Sequence, residues 1–184
     1  VKKIVAFVFM SAMLLTCQIA MAAAPLYAGG AEKMANRMYD IYNNYDPNIC
    51  LRNFQSLGLN SDSDNPGVQY QTYLVSFGTT RDYAIIAMFC DRNSGAVMRA
   101  KVMWNPLNSH ADRYSRDAIA LTEMAIGITA TEKDALWGNA KSYGKNNYAK
   151  GNVWCKAVQD NVHMRFLQSR ADSITVTYST TELW

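Results

Sequence analysis

Three consecutive segments decide the fold: VQYQTYLVSF (68–77), YAIIAMFC (83–90) and AVMRAKVMW (96–104). Each is rich in β-branched, aromatic and aliphatic residues, and turn formers separate them, which is the pattern of an antiparallel meander. The middle segment is apolar at nearly every position, so both of its faces are expected to be covered.

Working outward, Ala31 to Tyr45 places Met34, Met38, Ile41, Tyr42 and Tyr45 at three- and four-residue steps, predicting an amphipathic helix with Lys33, Arg37, Asp40 and Asn44 facing water. Asp46-Pro47 resembles a helix start, and Cys50, Phe54 and Leu57 followed by Gly58 predict a short helix over 47–57. Residues 60–67 are all turn formers and predict a loop. Within it Asn60, Asp62 and Asp64 alternate as calcium-loop ligands do, but the bidentate glutamate such a loop requires is absent, so the carboxylates are expected to be solvated.

Beyond the meander, Ser109-x-x-Asp112 opens a helix with Tyr114, Ala118, Leu121, Ala125 and Ile128 on its apolar face. Thr131 to Asp134 caps another, in which Leu136, Ala140 and Tyr143 point inward. Three alternating strands close the chain. Asp160-Asn161 forms a tight hairpin between the first two, and the clean alternation predicts a sheet with one wet face. The fold class is therefore α+β: antiparallel strands in an order of helices then three strands, repeated twice, with the helices packed on one face. Either one six-stranded sheet or two three-stranded sheets would satisfy this order. No residue-level repeat accompanies it.

The N-terminus carries Lys2 and Lys3, an apolar run from Ile4 to about Ile19, and small residues at Ala20 and Ala22. These are the three zones of a secretory signal peptide, residues 1–24 with cleavage near Ala22 to Ala24, leaving a single domain over 25–184. An uncleaved anchor and a lipoprotein through Cys17 are the alternatives. Without Lys2 and Lys3, 16 basic residues oppose 15 acidic ones, which gives no case for nucleic-acid binding. The expected location is the periplasm or the extracellular space, with a membrane involved only in export unless the segment is retained.

Cys50, Cys90 and Cys155 remain after cleavage, an odd number for an oxidising compartment. A Cys50–Cys90 disulfide is the first expectation, with Cys90–Cys155 as its competitor. The two histidines, His110 and His163, lack partners at metal-ligand spacing, and no glycine-rich phosphate loop occurs, so no metal and no cofactor are expected. The segment WGNAKSYGKNNYAKGNVW (137–154) interleaves aromatic rings, amides and lysines, and Tyr143, Lys145, Asn147 and Tyr148 are its candidate ligand-binding residues. The functional expectation is a non-enzymatic binding or interaction protein whose partner is an envelope glycan or another envelope protein. A small hydrolase of envelope polymers, using Asp82, Asp160, His163 or the loop acids, is the alternative. A membrane-anchored structural or accessory envelope protein is a further one.

Overall fold

The computed structural model describes residues 23–42, 50–63, 65–146, 152–169 and 173–183. In chain order these form α1 (Gly30–Tyr42), β1 (Cys50–Asp62), β2 (Asn65–Gly78), β3 (Tyr83–Cys90), β4 (Val97–Trp104), α2 (Ser109–Ile126), α3 (Ala130–Asn146), β5 (Asn152–Gln159), β6 (Val162–Ser169) and β7 (Ile174–Ser179). One antiparallel sheet of seven strands runs β1-β2-β3-β4-β7-β6-β5. The α+β class and the antiparallel pairing hold. The order is one helix, four strands, two helices and three strands rather than a repeated helices-then-three-strands unit.

The extra strand arises where a helix was expected. β1 pairs with β2, but its register shifts between Arg52 and Gln55, between Ser56 and Gly58, and between Ser61 and Asp62. Asn53 and Gly58 take left-handed φ values of 56° and 75° at two of these irregularities. Inserted residues turn a two-residue period into apparent three-residue steps, which is why Phe54 and Leu57 imitated a helix face. Asn60 to Asp62 likewise continue β1 and Asn65 to Gly67 begin β2 where a loop over 60–67 is expected, with Ser63 in the turn and residue 64 outside the described set.

All three helices share one core with the same face of the sheet. Met34 and Met38 of α1, Ala118 and Leu121 of α2, and Leu136 and Ala140 of α3 pack with Val75, Phe77, Ile86, Met88, Val102, Met164, Val176 and Tyr178. Asn108 caps α2, accepting from the His110 and Ala111 backbone N–H groups, and Gly127 (φ 90°) ends it. Thr129 and Glu132 cap α3 reciprocally, so the caps are Asn108 and Thr129 where Ser109 and Thr131 were expected. Between α2, α3 and β7 lies Glu123, 1% exposed, accepting from Tyr178 Oη at 2.7 Å and Trp137 Nε1 at 2.8 Å. Burial, then the charge and hydrogen bond of Glu123, push the Tyr178 phenol well above its ordinary range, so it stays a donor.

The opposite face of the sheet also has apolar cover near β3, where Tyr70, Ala87 and Phe89 pack with Leu74, Met98 and Met103. β3 is therefore covered on both sides, as its composition indicates. β7 sits in the centre of the sheet, not at an open edge, and Thr177 and Ser179 on its polar side are buried. The expected wet face is polar in composition but is not wet along β7.

Candidate functional site

β4 sets the polar geometry. A bulge opposite Phe89 and Cys90 keeps Val97 in the helix-side core while turning Arg99 and Lys101 to the other face. Two cations at i and i+2 on a central strand require anionic partners if they are buried. Arg99 and Lys101 are 2% and 7% exposed. The partner comes from the far end of the longest hairpin. Only Gln71 to Gly78 of β2 pair with β3, so the tip beyond them extends past that strand and carries Asp62 over β4. Asp62 accepts from the Arg99 guanidinium through Oδ2 and from the Lys101 ammonium through Oδ1.

Burial works to raise the Asp62 pKa, but the hydrogen bonds and charges of Lys101 and Arg99 outweigh it and hold the carboxyl below its usual value. The Lys101 ammonium also lies 5.2 Å from the centre of the Phe89 ring, and Arg99 Nη2 donates to Thr181 Oγ1 at 3.4 Å. On β7, Ser179 lies opposite Arg99 and Thr177 opposite Lys101, and Arg165 of β6 lies beyond Thr177. The fully buried Thr177 hydroxyl has no hydrogen-bond partner among the described residues.

This cluster borders a cavity of about 770 Å³ between the N-terminal segment, the hairpin, the β3–β4 turn and the end of β7. Ala28, Val68, Ala96 and Met98 supply apolar wall, and Asn65, Asn93, Arg99 and Thr181 supply polar groups. The N-terminal segment is held by a reciprocal backbone pair between Tyr27 and Val97 and by Thr180, whose hydroxyl donates to the Ala24 carbonyl. In the turn, Asp91 accepts from the Ser94 backbone and hydroxyl and from the Asn93 backbone, contacts that lower its pKa and keep it ionised.

The candidates read from the sequence lie elsewhere. Asn147 and Tyr148 are outside the described residues. Tyr143 and Lys145 belong to the last turns of α3, and their side chains are outside the described set. Trp137, at the head of that segment, is a core-facing donor to Glu123. Asp82 accepts from Asn108 Nδ2 at 2.6 Å in the β2–β3 turn, whereas Asp160 lies in the β5–β6 turn at the opposite end of the sheet with His163 beginning β6. His110 is exposed. Asp82 and Asp160 therefore do not share a cleft with one another. Asp62, expected to be solvated, is instead 1% exposed.

The Cys50–Cys90 disulfide is not formed. Cys90 is a buried free thiol, and Cys155 is free as well. Along β2, Cys50 stands opposite Gly78 and Cys90 opposite Gln71, so the two lie at opposite ends of the shared strand, on the order of 20 Å apart. A bridge requires Cα atoms within about 7 Å. Burial pushes the Cys90 thiol up to about 11, against a weaker lowering by the Ala31 backbone N–H. Iodoacetamide at pH 8 is expected to leave Cys90 unmodified in the folded protein and to alkylate it fully in urea, as read by peptide mass spectrometry. Rapid labelling of folded Cys90 would contradict the buried assignment.

Among the described residues, no helix is long and apolar enough to cross a membrane, and no group of three or more ligating side chains is placed to hold a metal ion. Comparison with family models, with curated proteins and with solved structures found no match.

Proposed function

We propose that this chain is an exported, non-enzymatic binding protein of the cell envelope that receives its ligand in the cavity beside Arg99. The observation that carries the reading is the cavity itself. About 770 Å³ falls within the range of pockets that enclose small ligands, and its walls combine apolar surface with a few convergent polar groups. Arg99 is fixed by Asp62 and Thr181, so its donors need little reordering when a ligand arrives. Export is supported by the basic, apolar and small-residue zones at the N-terminus. Envelope glycans fit the amides and hydroxyls around the wall.

Ala28 is exposed and forms part of the wall, so Ala28→Trp fills the cavity without entering the core. Isothermal titration with a β-1,4-linked N-acetylglucosamine hexasaccharide, a soluble analogue of envelope glycan, is expected to show saturable binding. Ala28→Trp should weaken it by at least about tenfold, the scale of lost shape complementarity, with the thermal midpoint unchanged. Equal binding by both proteins would remove the cavity as the site.

A further inference from the structure

We infer that the ligand is an extended, uncharged glycan strand that occupies two cavities in series, one on either side of the β3–β4 turn. This rests on the cavity reading above and adds to it a second subsite and a ligand class. The second cavity, about 450 Å³, opens between the start of α1 and the curled β1–β2 hairpin. Asp91 lines both cavities, and the N-terminal segment divides them, with Ala28 on one side and Gly29 on the other. Gly30 and Gly95 face each other there at φ values of 81° and 71°, and a Cβ on Gly30 would lie 3.2 Å from the Gly95 carbonyl oxygen.

Two features of the second cavity select the ligand. Phe54 is 42% exposed, yet its ring is stacked on Tyr73 with centroids 5.5 Å apart and planes 11° apart. One face of Phe54 is thereby fixed, and the other is presented as a flat apolar platform of the kind that receives the C–H face of a pyranose. Beside it, the Gln71 amide is oriented by donation to Ser56 Oγ at 2.7 Å. Charge supplies the second feature. Glu32 and Asp91 are matched by Lys33 and Arg92 in this cavity, and Asp91 is matched by Arg99 in the larger one. Balanced walls offer hydrogen bonds to hydroxyl groups and no net field for a polyanion. An extended peptide would seek the hydrogen-bonding edge of a sheet, and the edge nearest this cavity, β1, is interrupted by three register shifts.

A length series of the same oligosaccharides, from two to six sugars, tests the inference by isothermal titration. Affinity is expected to rise at least about tenfold from disaccharide to hexasaccharide as the second cavity is reached. Phe54→Ala should abolish that gain while leaving disaccharide binding and the thermal midpoint in place, and Phe54→Trp should keep it. Length-independent affinity, or a gain that survives Phe54→Ala while Ala28→Trp still weakens binding, would overturn the two-cavity strand and leave the cavity reading standing. Tighter binding of polygalacturonate or of an extended peptide than of the hexasaccharide would overturn the uncharged-glycan assignment. Absence of binding by every oligosaccharide would remove the glycan in both readings.

Discussion

Asp62→Asn is expected to lower the free energy of unfolding by about 3–5 kcal/mol, measured by urea denaturation at pH 7. The substitution keeps the shape of the side chain and removes its charge. Arg99 and Lys101 would then remain buried on the central strand without the carboxylate they share. The cost comes from removing the carboxylate that two buried cations share rather than from the net worth of the ion pairs, which burial makes small. The hairpin tip would also lose its anchor across the sheet. A change below about 1 kcal/mol would show that the tip is held by other contacts.

The same carboxylate gives stability an acid limb. Its folded pKa lies below the ordinary value of 3.8, so the folded state binds the proton less readily than the unfolded chain does. The stabilisation is therefore complete above the unfolded value and is lost as pH falls through the folded one. Unfolding free energies measured between pH 5 and pH 2.5 should converge for the wild type and Asp62→Asn. Parallel curves over that window would count against the assignment.

Glu123→Ala is the second large effect, expected at about 3 kcal/mol, because it strands the buried Tyr178 hydroxyl and the partly buried Trp137 N–H together. Tyr178 Oη and Trp137 Nε1 both donate to Glu123 Oε1, and Tyr178 is fully buried. Lys133 Nζ stands 3.7 Å from the other carboxylate oxygen, but its side chain is 43% exposed and solvent screens it. Glu123→Gln retains an acceptor oxygen for both donors and should cost less than about 1 kcal/mol. Equal losses for the two variants would assign the role to charge instead of to hydrogen-bond acceptance. Urea denaturation followed by tryptophan fluorescence reads both, with Trp137 reporting locally.

Where local rules agreed with tertiary structure, the fold was legible. The central meander, the amphipathic stripe of α1 and the Asp160-Asn161 turn could all be read, the last with both residues at positive φ, 46° and 67°. β1 could not, because its bulges place apolar residues at helical spacing and a helix-like Asp-Pro precedes it. The site was half visible. Arg99 and Lys101 are conspicuous as cations in an otherwise apolar strand, and they imply a buried carboxylate. Nothing local distinguishes Asp62 from the other polar residues of its hairpin, since its burial follows from how far the hairpin reaches. The Phe54 platform was hidden for the same reason, because its stacking partner Tyr73 lies on the neighbouring strand.

The position of β7 bears on how the molecule is made. β7, the last of the described strands in chain order, pairs with β4 on one side and β6 on the other, and Trp104 meets Ile174 across about seventy residues of chain. Until that strand arrives, β4 has an open edge and the β5–β6 hairpin has no place in the sheet. Pairing at such sequence separation is slow. Completion of the sheet is therefore expected to be limited by the long-range docking of β7 rather than by the local β1–β4 meander or the β5–β6 hairpin.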